Sequence, residues 1–304
     1  MRKAFLTKLS ALAADERIVL LTGDLGYTVI EDFASRWPER FYNAGVAEQN
    51  MLGMAAGLAE AGFIPFVYSI ATFASMRAYE ILRNGAILND LPIRIIAIGQ
   101  GFDYGPAGAT HHALEDLALM RVQPRVRVIS PSDDAQSVSA LDATWDLRSP
   151  VYYRLAKDPS AAIPGLDGRF DASRVEMIRD GSDVLLLATG SLASEAIDAA
   201  EILSLQGIEA AVGIVASIKP LPADDLQRVI TSYRTVVTIE EHYVHGGFGS
   251  AVCELAASAG LGARIVTCGV GDRITGCGSR SHLRALHGLT AGGIAARIQS
   301  ALSA

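Results

Sequence analysis

The chain alternates short apolar runs with longer segments of helical spacing. Arg17-Ile-Val-Leu-Leu-Thr22 has the pattern of a buried strand, closed by Gly23-Asp24. Ile64-Pro-Phe-Val-Tyr68, Ile93-Arg-Ile-Ile-Ala-Ile98, Arg125-Val-Arg-Val-Ile129 and Pro150-Val-Tyr-Tyr-Arg154 repeat that pattern. Between them, residues 50–61 read as a buried helix of small residues that stops at Gly62. Met76, Tyr79, Ile81, Leu82 and Ala86 give helical spacing over residues 76–88, and residues 114–121 form a further helix. Ser132-Asp-Asp caps a helix that runs toward Trp145. Residues 157–171 then lose the apolar pattern and gather Pro159, Pro164, Gly165 and Gly168, the composition of a connector. The alternation restarts with strands over residues 184–189, 210–215, 235–239 and 263–267, and a helix opened by Gly190-Ser191. Strands alternating with helices predict an α/β fold made of two consecutive domains, each a largely parallel sheet flanked by helices. The first domain is expected over residues 1–160, a linker over 161–180 and the second domain over 181–304.

Half of the residues are apolar and 19% are charged, a balance that supports a sizeable core. The net charge of −7, with no basic stripe, argues against a nucleic-acid partner. No apolar run reaches the length of a membrane span, and Met1-Arg-Lys-Ala-Phe-Leu lacks a signal-peptide hydrophobic region. Cys253, Cys268 and Cys277 are odd in number and widely spaced, which favours a reducing, cytoplasmic setting.

The densest chemistry lies in Phe41-Tyr-Asn-Ala-Gly-Val-Ala-Glu-Gln-Asn-Met51. It sets Glu48 at the head of a helix otherwise made of Ala, Gly, Met and Leu. A carboxylate is costly to desolvate among such residues, so it needs a partner or must hold its proton. Glu48 is therefore either a first-turn acid that favours the helix dipole or a proton donor and acceptor. His111-His112 follow the Gly-rich stretch 99–108 and precede Glu115-Asp116. They could meet a substrate hydroxyl and move protons, or serve only as helix-start hydrogen bonders. A zinc site there lacks a third ligand at suitable spacing. Phe73 is either a platform for a flat heterocycle or plain core. Gly246-Gly-Phe-Gly-Ser250 reads as a tight turn before a helix, since neither a phosphate-loop lysine nor a dinucleotide acid follows. Glu240-Glu241-His242 close a strand and could line an interface.

Taken in order, these motifs resemble the transketolase family. They are Gly-Asp-Leu at 23–25, Gly-Val-Ala-Glu-Gln-Asn-Met at 45–51 and Thr-Phe-Ala-Ser-Met-Arg-Ala-Tyr at 72–79. Gly-Ala-Thr-His-His-Ala-Leu-Glu-Asp-Leu at 108–117, Pro131-Ser-Asp-Asp134, residues 240–250 and Gly278-Ser-Arg280 continue the likeness. The resemblance covers essentially the whole chain, but only the family's pyrimidine-binding and C-terminal domains. The diphosphate- and metal-binding domain is not part of it.

The resemblance implies the C-terminal subunit of a split transketolase, which moves a two-carbon ketol unit from a ketose donor to an aldehyde acceptor. Its cofactor would be thiamine diphosphate, with Mg2+ or Ca2+ bound by an N-terminal partner subunit. The assembly would be an α2β2 heterotetramer with a β–β contact, acting on small sugars. Glu48 matches the glutamate that hydrogen-bonds the cofactor's aminopyrimidine ring, and Phe73 the aromatic that stacks on it. Met76 and Tyr79 fall on the pocket wall, and Asp24 matches an acid near the cofactor at the subunit interface. His111 matches a histidine that contacts donor hydroxyls, with His112 beside it. Arg2 and Thr28 fall near an arginine and a serine that hold the sugar phosphate. Lys157 falls near a second phosphate-binding arginine, and Arg154 competes for that role. Two positions depart from the family: Ala107 stands where an aspartate contacts the donor sugar, and Gly99 where a histidine is common. Two other readings follow from relatives of the same layout. One is a β subunit of a 2-oxo-acid dehydrogenase type, or a synthase using pyruvate, which delivers its unit to a lipoyl or carrier thiol or to an aldehyde. The other is a non-catalytic scaffold subunit.

Overall fold

The structure, a computed structural model, describes residues 1–303. The strands among them are β1 (Ile18–Thr22), β2 (Phe41–Asn43), β3 (Ile64–Ile70), β4 (Arg94–Ile98), β5 (Arg127–Ile129) and β6 (Val151–Leu155). They are followed by β7 (Glu176–Arg179), β8 (Val184–Ala188), β9 (Ala210–Ile214), β10 (Ser217–Lys219), β11 (Thr235–Tyr243) and β12 (Arg264–Val270). These form a seven-stranded sheet in the order β10-β5-β6-β4-β3-β1-β2 and a five-stranded sheet in the order β12-β11-β8-β9-β7. All pairings are parallel except β10 with β5 and β7 with β9. The protein is thus α/β, with two parallel-rich mixed sheets flanked by helices. Every residue of β1, β4, β6, β8 and β9 is buried, as expected of parallel strands covered on both faces.

Three strands depart from the apolar pattern. Strand β2 is half-exposed and only three residues long, so it carries no hydrophobic signature. Strand β7 lies inside the stretch expected as linker and instead forms an edge of the second sheet. The rest of that stretch is also held down: the Ile163 N–H donates to Asp133, and Gln136 donates to the Arg169 carbonyl. Strand β10 crosses over from the second half and pairs with β5, the far strand of the first. A single apolar cluster runs from Val19, Val67 and Ile95 of the first sheet to Leu185, Leu187 and Val236 of the second. The two sheets therefore share a core.

The helix at residues 76–88 is not the regular one that the spacing predicts. A π-helical stretch, Phe73–Arg77, leads into one α turn, Tyr79–Ile81, and a second π-helical stretch, Leu82–Ile87. The wide winding accompanies a close approach to the helix Glu48–Glu60, where a Cβ on Gly85 would lie 3.2 Å from the Ala56 Cβ. Asp133 caps the next long helix, Asp134–Thr144, by accepting from the Gln136 N–H at 2.7 Å. No helix among the described residues is long and apolar enough to cross a membrane.

Candidate active site

Ligands of parallel sheets gather at the carboxyl ends of the strands. Four such ends lie side by side here. Strand β1 leads into the loop 23–28, β3 into Phe73, β4 into the loop 99–112 and β6 into Lys157. Glu48 reaches the same edge because β2 pairs with β1, Thr22 opposite Asn43, and the helix Glu48–Glu60 starts just beyond it.

Glu48 is buried, with 1% of its side chain exposed. Its carboxylate accepts from the Arg77 guanidinium at 2.7 Å and from the Ser69 hydroxyl at 3.4 Å. The same guanidinium lies 4.2 Å from the centre of the Phe73 ring, a cation–π contact. His111 meets Phe73 edge to face at 5.0 Å between centroids. Glu48, Arg77, Phe73 and His111 are thus one continuous group. Asp24 is exposed, with a left-handed backbone (φ 58°), and accepts from the Asn43 amide and the Tyr27 hydroxyl. Its neighbour Gly23 faces Glu48: a Cβ there would lie 3.9 Å from the carboxylate.

A second group flanks His111. Lys157 places its ammonium 5.0 Å from the centre of the Tyr104 ring, and the His111 ring centre is 6.2 Å from it, tilted. The charge of Arg2 acts on the phenols of both Tyr68 and Tyr104. Burial pushes the Tyr104 phenol up to about 12, so it is a hydrogen-bond donor near neutral pH. Tyr104 also accounts for Gly99. That glycine has a positive φ of 89°, and a Cβ on it would fall 2.2 Å from the Tyr104 ring. No side chain can stand at 99 while Tyr104 is packed there. Thr28 is exposed in the left-handed region, and its N–H donates to Glu31. Its loop rests on Tyr68, since a Cβ on Gly26 would come within 2.9 Å of that ring.

Three sequence-based assignments are corrected. His112 is buried, its ring edge-on to Phe102 at 5.1 Å and its carbonyl accepting from Thr72. His112 leaves the turn Ala109–His111 in extended geometry, whereas half-buried His111 is the one that meets Phe73. Arg154 is also out of reach. It is 1% exposed, and its guanidinium donates to Asp116 at 2.8 Å, to the Ala113 carbonyl at 2.8 Å and to the Glu241 carbonyl at 3.0 Å. It braces the interior and leaves half-buried Lys157 as the more accessible cation of that strand end. Tyr79 has its hydroxyl engaged elsewhere: it donates to the Leu119 carbonyl at 3.2 Å and contacts Gln123. Met76, on the same stretch, is exposed. Arg77 and Tyr104 are the residues that sequence reasoning missed. Arg77 lies inside the Thr72–Tyr79 motif, four residues after Phe73, and that spacing was the available signal.

Glu240, Glu241 and His242 are buried where the sheets meet. Glu241 accepts from Arg284 at 2.7 Å, from Arg280 at 2.8 Å and from the Phe102 N–H at 3.1 Å. Burial alone would push its carboxyl up, but the two arginines outweigh burial and hold it far below the usual range. Arg280 pairs with Asp103 as well, beneath the loop that carries Tyr104 and His111. Among the described residues no group of three His, Cys, Asp or Glu side chains is arranged to hold a metal ion.

Comparison with known families matches residues 1–160 to the transketolase pyrimidine binding domain and residues 173–294 to the transketolase C-terminal domain. A putative transketolase C-terminal section from Methanocaldococcus jannaschii is 38% identical, over 98% of this chain and 95% of its own length. A 1-deoxy-D-xylulose-5-phosphate synthase from Syntrophotalea carbinolica is 36% identical over 97% of this chain, which spans only 47% of that protein. Among solved structures, an inactive β4 tetramer of a split-gene transketolase superposes with a TM-score of 0.91 at 39% identity, covering 99% of this chain and 98% of the other.

Proposed function

The chain belongs to the transketolase family, and on that premise we propose that it is the catalytic C-terminal subunit of a two-subunit, thiamine-diphosphate-dependent transketolase. The enzyme would move a two-carbon ketol unit from a ketose or ketose phosphate to an aldehyde. The observation that carries this reading is the grouping of buried Glu48 with half-buried Phe73 and His111 at one sheet edge. Transketolase-family enzymes depend on thiamine diphosphate. The residues on this edge suit that group: a carboxylate shielded from water for a ring nitrogen, and an aromatic face for the ring itself. When bound, the cofactor supplies a carbon nucleophile and an electron sink for cleaving a bond beside a carbonyl.

The chain's own residues do the rest. Glu48 would hold a nitrogen of the bound ring and exchange a proton with it. His111 offers an imidazole to substrate hydroxyls. Arg2 and Lys157, both close enough to Tyr104 to act on it, give positive charge for an anionic sugar terminus, with Thr28 as a further contact. Lysine supplies a point charge where an arginine would grip bidentately. Asp24 faces the interface with an N-terminal partner, which would bring the diphosphate clamp and its Mg2+ or Ca2+. The β4 tetramer named for the split-gene relative supports an oligomer built on β–β contacts.

The test is reconstitution with the partner subunit, followed by a donor and acceptor screen read by mass spectrometry. Ketol transfer is expected from the pair and not from the chain alone; full transfer by the chain alone would overturn the two-subunit reading. A second reading, a synthase that draws its unit from a 2-oxo acid, is favoured by the 36% identity to the deoxyxylulose-phosphate synthase. Turnover with pyruvate but not with ketose phosphates would select it.

A further inference from the structure

Arg77 holds an unusual position. Its guanidinium lies between the face of Phe73, 4.2 Å from the ring centre, and the carboxylate of Glu48, at 2.7 Å. A flat, nitrogen-bearing group is thereby stacked on an aromatic ring and hydrogen-bonded to a buried acid. These are the two contacts that an aminopyrimidine ring would draw from the same side chains. While Arg77 is seated there, it occupies that face of Phe73 and one oxygen of Glu48.

The local backbone suits an arm that moves. Phe73 and Arg77 open and close a π-helical stretch, a winding found often at functional sites. Ala78, just after it, leaves helical geometry at φ −109° and ψ 19°. The Arg77 side chain is 43% exposed, whereas that of Glu48 is 1% exposed. The acid is fixed in the interior, and the arginine reaches it from solvent.

We propose that Arg77 is a resident stand-in for the cofactor ring. In the unloaded subunit it covers Phe73 and compensates the buried charge of Glu48. When the ring enters, Arg77 swings to solvent and Glu48 takes the ring nitrogen as its partner. Arg77 therefore opposes binding while protecting the empty site. This inference rests on the cofactor reading above. Apparent affinity is reduced by the fraction of sites that Arg77 keeps closed.

The test titrates thiamine diphosphate with Mg2+ into the chain assembled with its N-terminal partner, read by calorimetry, for wild type and Arg77→Gln. The substitution is expected to tighten binding by about tenfold or more. It should also lower the melting temperature of the unloaded assembly while leaving that of the loaded one nearly unchanged. Weaker or equal binding by Arg77→Gln would show that the arginine helps to hold the ring, and would overturn the proposal. Should that variant fail to assemble, a crystal structure of the loaded wild-type assembly decides. Arg77 found clear of Phe73 supports the stand-in, and Arg77 still seated between Phe73 and Glu48 refutes it. Wild type that takes up no cofactor would defeat the functional reading itself, and this inference with it.

Discussion

Glu48 and Glu241 are both buried carboxylates that pair with arginine, yet they are built for different ends. Glu241 is enclosed by two arginines, the Ser191 hydroxyl and the Phe102 N–H, and the arginines are themselves mostly buried. Glu48 has one close cation, and that cation is a half-exposed arm. Removing one member of a buried, multiply bonded pair leaves a stranded charge, so such sites resist exchange. A single partner that reaches in from solvent can be replaced by something else. Partner number and partner exposure therefore separate the acid proposed to work from the bracing one, although their burial is the same.

The sharpest way to break this comparison is Glu48→Gln in the reconstituted enzyme. Ketol transfer should fall by about 10²–10⁴-fold, the range for losing a positioned proton-transfer group, while the subunits still assemble. Rates close to wild type would remove Glu48 from its role. Next in size is Glu241→Gln, which leaves Arg280 and Arg284 undercompensated at the junction. It should destabilise the chain by about 3–5 kcal/mol, read by urea unfolding; a loss under about 1 kcal/mol, the range of exposed pairs, would show that the cluster does not brace the fold.

The smallest effect concerns pH. His242 is buried as the neutral imidazole: its Nδ1–H donates to the Tyr243 carbonyl at 2.7 Å, and its Nε2 accepts from the Ala118 N–H. Burial is the main cause that pulls it from 6.5 down to about 4, with Asp116 opposing that shift and Arg154 adding to it. The stability tied to neutral His242 is thus complete above pH 6.5 and is lost as pH falls toward about 4. Neighbouring Glu240, pushed by burial from 4.5 to about 7, runs the other way: its contribution is present below pH 4.5 and lost as pH rises through about 7. His242→Gln should flatten the acid limb only, by up to about 3 kcal/mol, in melting curves taken between those pH values. An unchanged acid limb would place the titration elsewhere.

Most of the strands were legible because parallel strands buried on both faces leave short apolar runs bounded by glycine. β1, β4 and β8 show this directly. β2, β7 and β10 were not legible, since a short or edge strand is defined by its pairing partner and carries little pattern of its own. The same holds at the site. Glu48 stood out as a charge among small apolar residues. Phe73 could not be told from core by spacing, and only the family resemblance gave it a role. Arg77 was hidden by a winding that α-helical periodicity does not describe. His112 and Arg154 are polar residues with the right chemistry, but their direction is set by a turn and by a buried acid. Gly99 read as a missing contact, and only the packed Tyr104 ring shows why the position is empty.

Strand β10 bears on how the chain is made. It closes the first sheet from a point well past the residues that form the other six strands. As the chain leaves the ribosome, β5 must wait with its outer N–H and C=O groups unpaired until Lys219 has emerged. The N-terminal half therefore cannot finish its sheet by itself, and the order of translation places the second half in the role of completing the first.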